Sequence, residues 1–468
     1  MNRTLPTCLL LVLLYLSACQ QKPETLFSLV PPEKSGVTFA NTITETENFN
    51  VLVEEYIYNG GGVAVADFNA DGLPDLFFTG NQVNNALYLN QGNMRFEDAS
   101  EAAGVQAPGR WCAGATVVDI DQDGLPDLYV AATLYKYPEK RKNLLFVNEG
   151  SNAEGVPVFR ECAESYGLAD DGHTTHSAFF DYDRDGDLDA YLLTNVIDKG
   201  VPGNYRPKII DGTAINNDRL YKNNGDGTFT NVSQEAGIRY EGHGLGLAVS
   251  DINQDGWPDL YITNDYLSND LLYINNQDGT FSNQLPAYTR HQSHSAMGNN
   301  VVDLNHDGLV DIIALDMLPE TNQRKKQMMG SNNYISYINN EKYGYQYQVV
   351  RNTLQLNQGF APSGHPVFSE VGQLTGLHQT DWSWTPLVSD FDHDGQRDII
   401  ITNGFPKDVT DKDFVMFFAG PAGRIASKMM MQDSIPVVKL ANYAFKSLGD
   451  LKYEDVTTSW GMDIPSFS

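Results

Sequence analysis

Apolar and β-branched residues come along most of this chain in short bursts separated by polar turns, and the bursts recur in a fixed order. Val63 to Ala66 and Ala115 to Val118 each run into an acidic loop. Leu76-Phe-Phe, Leu128-Tyr-Val, Leu260-Tyr-Ile and Ile399-Ile-Ile each run out of one. A third burst reads Leu-Tyr-x-Asn at Leu87 to Asn90, Leu220 to Asn223 and Leu272 to Asn275. After a Gly-rich turn such as Gly225 to Thr228, a fourth opens on an aromatic: Phe96, Phe159, Phe229, Phe281, Phe368 and Tyr453. Bursts this short, bounded by Gly, Asn and Asp, predict strands joined by hairpins. Four antiparallel strands per repeat, repeated along the chain, predict an all-β fold: a β-propeller of four-stranded blades with six complete repeats.

The loop between the first and second strand carries the chemistry. Oxygen-bearing side chains occupy positions 1, 3, 5 and 9 of all six copies, and Gly occupies position 6. The sets are Asp67, Asn69, Asp71, Asp75; Asp119, Asp121, Asp123, Asp127; and Asp181, Asp183, Asp185, Asp189. The later three are Asp251, Asn253, Asp255, Asp259; Asp303, Asn305, Asp307, Asp311; and Asp390, Asp392, Asp394, Asp398. Ca²⁺ takes six to eight hard oxygens, and alternate residues of a tight loop can turn them toward one ion. Solvated turn chemistry also favours Asp, Asn and Gly. It does not account for four fixed oxygen positions among freely varying neighbours, nor for like charges crowded into nine residues. About six Ca²⁺ sites are expected.

The 468 residues hold 60 acidic against 31 basic side chains, a formal charge of −29. Six divalent ions would still leave the protein clearly acidic. That balance excludes nucleic acid, whose phosphates need a basic surface. It also excludes attraction to an anionic membrane. The amino terminus reads as a secretory leader over 1–18, with Arg3 before the apolar run Leu9 to Leu16, too short to span a bilayer. Leu16-Ser-Ala-Cys19 looks like a bacterial lipobox, which would make Cys19 the lipidated first residue, followed by a polar tether over 19–26. The expected location is the bacterial cell envelope, at the outer membrane, with the lipid as sole membrane contact. Cys112 and Cys162 remain as either a disulfide or two buried thiols.

The repeated Asp-x-Asp-x-Asp-Gly-x-x-Asp loop and its flanking strands resemble the FG-GAP or VCBS repeats of integrin-α-type propellers. They are most similar to bacterial proteins grouped with the cartilage acidic protein and UnbV-type families. The resemblance covers roughly residues 27 to 468 and implies a propeller with calcium in the strand one to strand two hairpin. The loops at Asp303 and Asp390 carry Leu-Val and Gln-Arg where three others carry Leu-Pro or Trp-Pro. Their ligand positions are intact.

Repeats of this kind are assigned to 27–452, and 453–468 reads as the opening of a further, truncated one. Phe27 to Val30 followed by Gly36 looks like a seventh fourth strand, and from Gly461 the next loop would begin near position 475. A seven-bladed ring in a longer polypeptide is therefore expected, against a closed six-bladed ring.

Insertions follow the second strand at Asn195 to Asp218, Asp316 to Thr353 and Asn403 to Ala441, on the face opposite the acidic loops. Variable loops on a rigid scaffold are where binding concentrates. The second is rich in Asn and Tyr, the third has helix-like runs at Phe414 to Phe418 and Ile425 to Met431, and Arg324-Lys-Lys326 reads as a solvated charge run. Eight or nine residues before each loop stand Asn59, Trp111, His173, His243, His294 and Trp382. They form either a ligand ring at the channel mouth or a plug on the axis. No nucleophile elbow, zinc-helix or phosphate-loop motif is present. The expectation is a calcium-binding envelope module, not an enzyme, that recognises a protein or glycan on its insert-bearing face. A lyase-like enzyme acting on polysaccharide is the alternative.

Overall fold

The computed structural model describes residues 25–200, 205–328, 334–421 and 423–467. Six four-stranded antiparallel sheets follow one another along the chain, each with its strands in sequence order. Blade one comprises Val63–Ala66, Asp75–Phe78, Ala86–Asn90 and Phe96–Asp98. Blade two comprises Cys112–Val118, Asp127–Ala132, Leu144–Ser151 and Pro157–Glu161; blade three Thr174–Phe180, Asp189–Thr194, Arg219–Asn223 and Phe229–Asn231. Blade four comprises Gly244–Ser250, Asp259–Asn264, Leu271–Asn275 and Phe281–Asn283. Blade five is Asn299–Val302, Asp311–Ala314, Thr353–Phe360 and Pro366–Glu370, and blade six Ser383–Ser389, Asp398–Asn403, Tyr443–Ser447 and Tyr453–Asp455. The protein is thus an all-β propeller of six blades. Tyr453–Asp455 pairs with Tyr443–Ser447 as the outer strand of blade six. The leader, Cys19 and most of the tether lie outside the described residues. No helix among those described is long and apolar enough to cross a membrane.

The core is a series of apolar layers between consecutive blades, which is why the second strands are short and hydrophobic on both faces. Phe77 and Leu87 of blade one pack with Cys112, Leu128 and Val130 of blade two, and the same arrangement recurs between later pairs. Each large side chain so buried contributes roughly 1.5–3 kcal/mol. Cys112 and Cys162 both sit in these layers as free thiols, and burial pushes the Cys112 thiol up to about 12. First strands kink through β-bulges where they start beside the axis, at Cys112/Ala115, Gly244/Gly246 and Ser383/Pro386.

Between blades six and one the layering changes. The residue two before each loop faces the preceding blade: Val117, Phe179, Val249, Val301 and Val388 all pack against that neighbour's core. Val65, in the same position of blade one, is 56% exposed, and Val63 is 58% exposed. Asp127–Ala132, Asp189–Thr194 and Asp259–Asn264 are buried throughout, whereas Asp75–Phe78 alternates between buried and half-buried. The amino-terminal segment covers this seam from outside. The Phe27 N–H donates to Trp460 O (2.9 Å), and the Phe27 ring lies edge-on to Phe391 and Trp460. Pro32–Ser35 then forms a helical turn ending at Gly36, as the segments after the outer strands do. Phe39 continues the path, stacked on Phe78 at 5.2 Å. Phe27 to Val30 holds the place of an outer strand without β pairing.

A Cβ on Gly461 would lie 2.6 Å from Phe27 O, whereas one on Gly92 would meet nothing within 4 Å. Their φ angles are +78° and +77°, so both substitutions carry the same left-handed cost of roughly 1–2 kcal/mol. Gly461→Ala is expected to lower the melting temperature distinctly further than Gly92→Ala. Equal losses would mean that the amino-terminal segment does not seal the seam.

Candidate metal centres and the insert-bearing face

All six acidic loops share one local structure. The fourth residue is left-handed in each (Ala70, Gln122, Arg184, Gln254, His306 and His393, φ 56–61°), and the Gly at position 6 has φ between 85° and 98°. The position 1 carboxylate accepts the N–H groups of positions 5 and 6, as Asp67 does from Asp71 (3.0 Å) and Gly72 (2.8 Å). Asp119, Asp181, Asp251, Asp303 and Asp390 repeat it. The position 5 carboxylate (Asp71, Asp123, Asp185, Asp255, Asp307 and Asp394) accepts the N–H of position 7.

Position 9 is different. Asp75, Asp127, Asp189, Asp259, Asp311 and Asp398 are fully buried. In each, Oδ2 accepts the N–H of position 2 and Oδ1 accepts an N–H from the third strand. Asp259 takes Ile252 N–H at 3.0 Å and Asn275 N–H at 2.8 Å; Asp311 takes Leu304 and Asn357 likewise. The Asn of Leu-Tyr-x-Asn is thereby explained: its N–H meets the Asp, and its side-chain amide donates to carbonyls before the second strand, as Asn90 does to Pro74 O. In blade six Ser447 stands at this place and only the backbone bond remains.

Burial, opposed in part by these N–H groups, pushes Asp127 and Asp311 up to about 6 and Asp189 and Asp259 up to about 7. Neighbouring carboxylates add to the shift. Positions 1, 3 and 9 nonetheless bring oxygens within 4.8 Å of one another in the loops of Asp119, Asp121, Asp127; Asp181, Asp183, Asp189; and Asp390, Asp392, Asp398. An all-oxygen donor set of this charge fits a hard divalent cation.

Five of the six loops relieve their charge in one of two ways. Where position 3 is Asn (Asn69, Asn253 and Asn305), its amide donates to the position 5 carboxylate at 2.9–3.0 Å. In blade three Lys222 pairs with Asp183 and Asp185, and in blade six Lys446 pairs with Asp392 and Asp394. Asp121 and Asp123 of blade two receive neither an amide nor a lysine among the described contacts.

The residues expected at the channel mouth divide into separate settings. Trp111 and Trp382 are buried in one apolar cluster with Ile57, Phe405 and Phe414, where Trp382 stacks on Phe405 at 4.4 Å. The amino-terminal segment and the third insertion bring those partners over the axis. Asn59, Trp111, Tyr56, His176 and Trp384 border an axial cavity of about 370 Å³ fed by all six blades. His173, left-handed at φ 63°, and His243 are held down at about 4 by burial, so both are neutral. His243 shares a hydrogen bond with Ser268 (2.9 Å). His294 borders a second cavity of about 520 Å³ under the second insertion.

The insertions carry helices at Asn322–Gln327, Tyr334–Tyr343, Lys412–Ala419 and Lys428–Gln432. Arg324 is no solvated loop charge: it is largely buried and pairs with Asp381 (3.1 Å) and Asp408, tying the second insertion to the third. Lys325 donates to Gln379 (2.6 Å).

The repeated blades define a six-bladed propeller with one acidic loop in every blade. The family model described as FG-GAP-like repeat matches residues 67–130, 209–262 and 251–314. The chain is similar to cartilage acidic protein 1 of Mus musculus, 25% identical over 205 residues that make up 44% of this chain and 28% of that protein. Against cartilage acidic protein 1 of Homo sapiens the identity is 31% over 144 residues, 30% of this chain and 21% of that one. The chain thus spans about a quarter of the length of these relatives. Among solved structures, the Photorhabdus luminescens Tc holotoxin pore matches 73% of this chain and 13% of that one at 16% identity, with a TM-score of 0.31.

The six position 9 carboxyls titrate higher folded than the ordinary unfolded value near 4, so between pH 4 and 7 they bind more protons in the metal-free fold than in the unfolded chain, and they outnumber His173 and His243, which bind fewer. The stability of the metal-free fold therefore falls as pH rises through that window. In chelator the melting temperature is expected to drop from pH 5 to pH 7, and calcium, which requires the ionised carboxylates, should oppose the drop. A chelated melting temperature that rises over this range would contradict the burial of charge at position 9.

Proposed function

We propose that this chain is a calcium-loaded binding module of a bacterial envelope, anchored by a lipid at Cys19 and recognising a glycan or protein partner through its insert-bearing face. The observation that carries the reading is the division of labour between the two faces. Six near-identical acidic loops occupy one, while the three long insertions, their helices and the two cavities occupy the other. A repeated metal loop suits a scaffold that must be stiff, and a varied opposite face suits recognition. Calcium would be held by positions 1, 3, 5 and 9 of each loop, with affinities near 10⁻⁴–10⁻³ M as in other extracellular modules. Blades three and six, whose lysines already compete for the carboxylates, would bind it most weakly.

With free calcium about ten times the dissociation constant, each site adds roughly 1.4 kcal/mol to the folded state. Chelation is expected to lower the melting temperature markedly, and Asp121→Ala to do so more weakly. An unchanged melting curve in excess chelator rejects the metal. Metabolic labelling with a clickable fatty acid should mark the protein and fail on Cys19→Ala; equal labelling of both rejects the anchor. A glycan array and an envelope-protein pull-down with calcium-loaded protein are expected to give partners. Release of unsaturated uronate products in a parallel assay would instead favour a lyase.

A further inference from the structure

The cavity of about 520 Å³ under the second insertion differs chemically from the axial one. Tyr337 and Tyr347 stand parallel at its wall, ring centroids 5.0 Å apart and 4° between planes. Three residues bordering it carry a buried polar atom without a hydrogen-bond partner among the described residues: Tyr205 Oη, Asn340 Oδ1 and Gln348 Oε1. Asn340 is 3% exposed and Gln348 9%. The Gln348 amide is fixed, since Nε2 donates to Ser268 O (3.1 Å), which leaves Oε1 without a donor. Buried acceptors in this state are costly to leave unmatched, and a ligand hydroxyl would satisfy them.

The rim supplies charge. Arg290 borders the cavity and is exposed. Glu370, which contacts His291 of the cavity wall (3.3 Å), is already engaged by Arg351 (2.8 Å). Glu341 is occupied on the outer side, accepting from the Tyr347 hydroxyl (2.9 Å). His294 is kept neutral by burial. Arg290 has no ion-pair partner among the described residues, and a guanidinium in that state in so acidic a protein is placed for an anion, since Arg binds carboxylates through two parallel N–H groups.

We propose that this cavity is the recognition site for a carboxylated sugar, a uronic acid unit of an acidic polysaccharide. Its carboxylate meets Arg290, its hydroxyls donate to Asn340 Oδ1 and Gln348 Oε1, and its apolar ring face lies against the tyrosine pair. A cavity of this volume accommodates a small oligosaccharide. The proposal rests on the binding-module reading and specifies its ligand class.

The test is calorimetric titration of calcium-loaded protein with trigalacturonate and with the neutral galactose trisaccharide. Trigalacturonate is expected to bind, and about tenfold more tightly than the neutral sugar. Arg290→Ala and Tyr337→Ala, both at exposed positions, should retain the melting temperature and each weaken trigalacturonate about tenfold. Equal affinity for the two sugars, no binding of trigalacturonate, or affinities unmoved by both substitutions would overturn it. Array or pull-down partners that survive Arg290→Ala would reject this pocket and leave the module standing. Calcium-loaded, folded protein with no partner in any assay would reject both.

Discussion

In every blade a fully buried aspartate at the end of the acidic loop holds two backbone N–H groups, one from the loop's own start and one from the third strand. This one contact fixes the hairpin between strands one and two and docks strand three onto it. Three strands and a loop are thereby set in one register by a single carboxylate. A carboxylate accepting backbone N–H bonds makes stronger interactions than a neutral acceptor would. Burial of the charge works in the opposite direction and pushes the titration of Asp189 and Asp259 up. A divalent ion at the same oxygens would resolve it, so the loop joins metal binding to strand registry through a shared residue.

The remaining carboxylates are managed locally. Backbone N–H groups take positions 1 and 5, amides serve the Asn-bearing loops, and Lys222 and Lys446 serve two of the most acidic. Blade two has no such device at Asp121 and Asp123, so the six loops are alike in shape and unequal in their need of a cation. That inequality would be invisible in a fold held by one large core. Here each interblade layer is closed separately, so the loss at one loop is confined to its own blade and its two neighbours.

Much of the architecture is legible in the sequence because repetition removes ambiguity. A single Val-Ala-Val-Ala run is weak evidence; six strand–loop–strand units in register predict the blades and the spacing of the loop oxygens. The double role of position 9 is not legible, since an aspartate that ligates and one that clasps backbone look alike. Its one trace in the sequence is the Asn at the end of Leu-Tyr-x-Asn, which by itself marks only a strand end. Arg324 looks like part of a charge run in the sequence because its partners Asp381 and Asp408 lie 57 and 84 residues away. Trp111, His243, His294 and Trp382 share a spacing from their loops, yet their settings depend on which insertion covers each blade. The unmatched Asn340 Oδ1 and Gln348 Oε1 depend on the same packing, which no local pattern encodes.

The central claim is that position 9 is a structural clasp as well as a ligand. The direct measurement is urea unfolding of Asp259→Asn beside Asp121→Asn, each in calcium and in chelator. Asparagine keeps the shape of Asp259 but turns a donor toward one of the two N–H groups. The clasp predicts a loss of about 1.5–3 kcal/mol for Asp259→Asn in both conditions, and a loss for Asp121→Asn in calcium alone. An Asp259→Asn protein as stable as the parent in chelator would contradict the account.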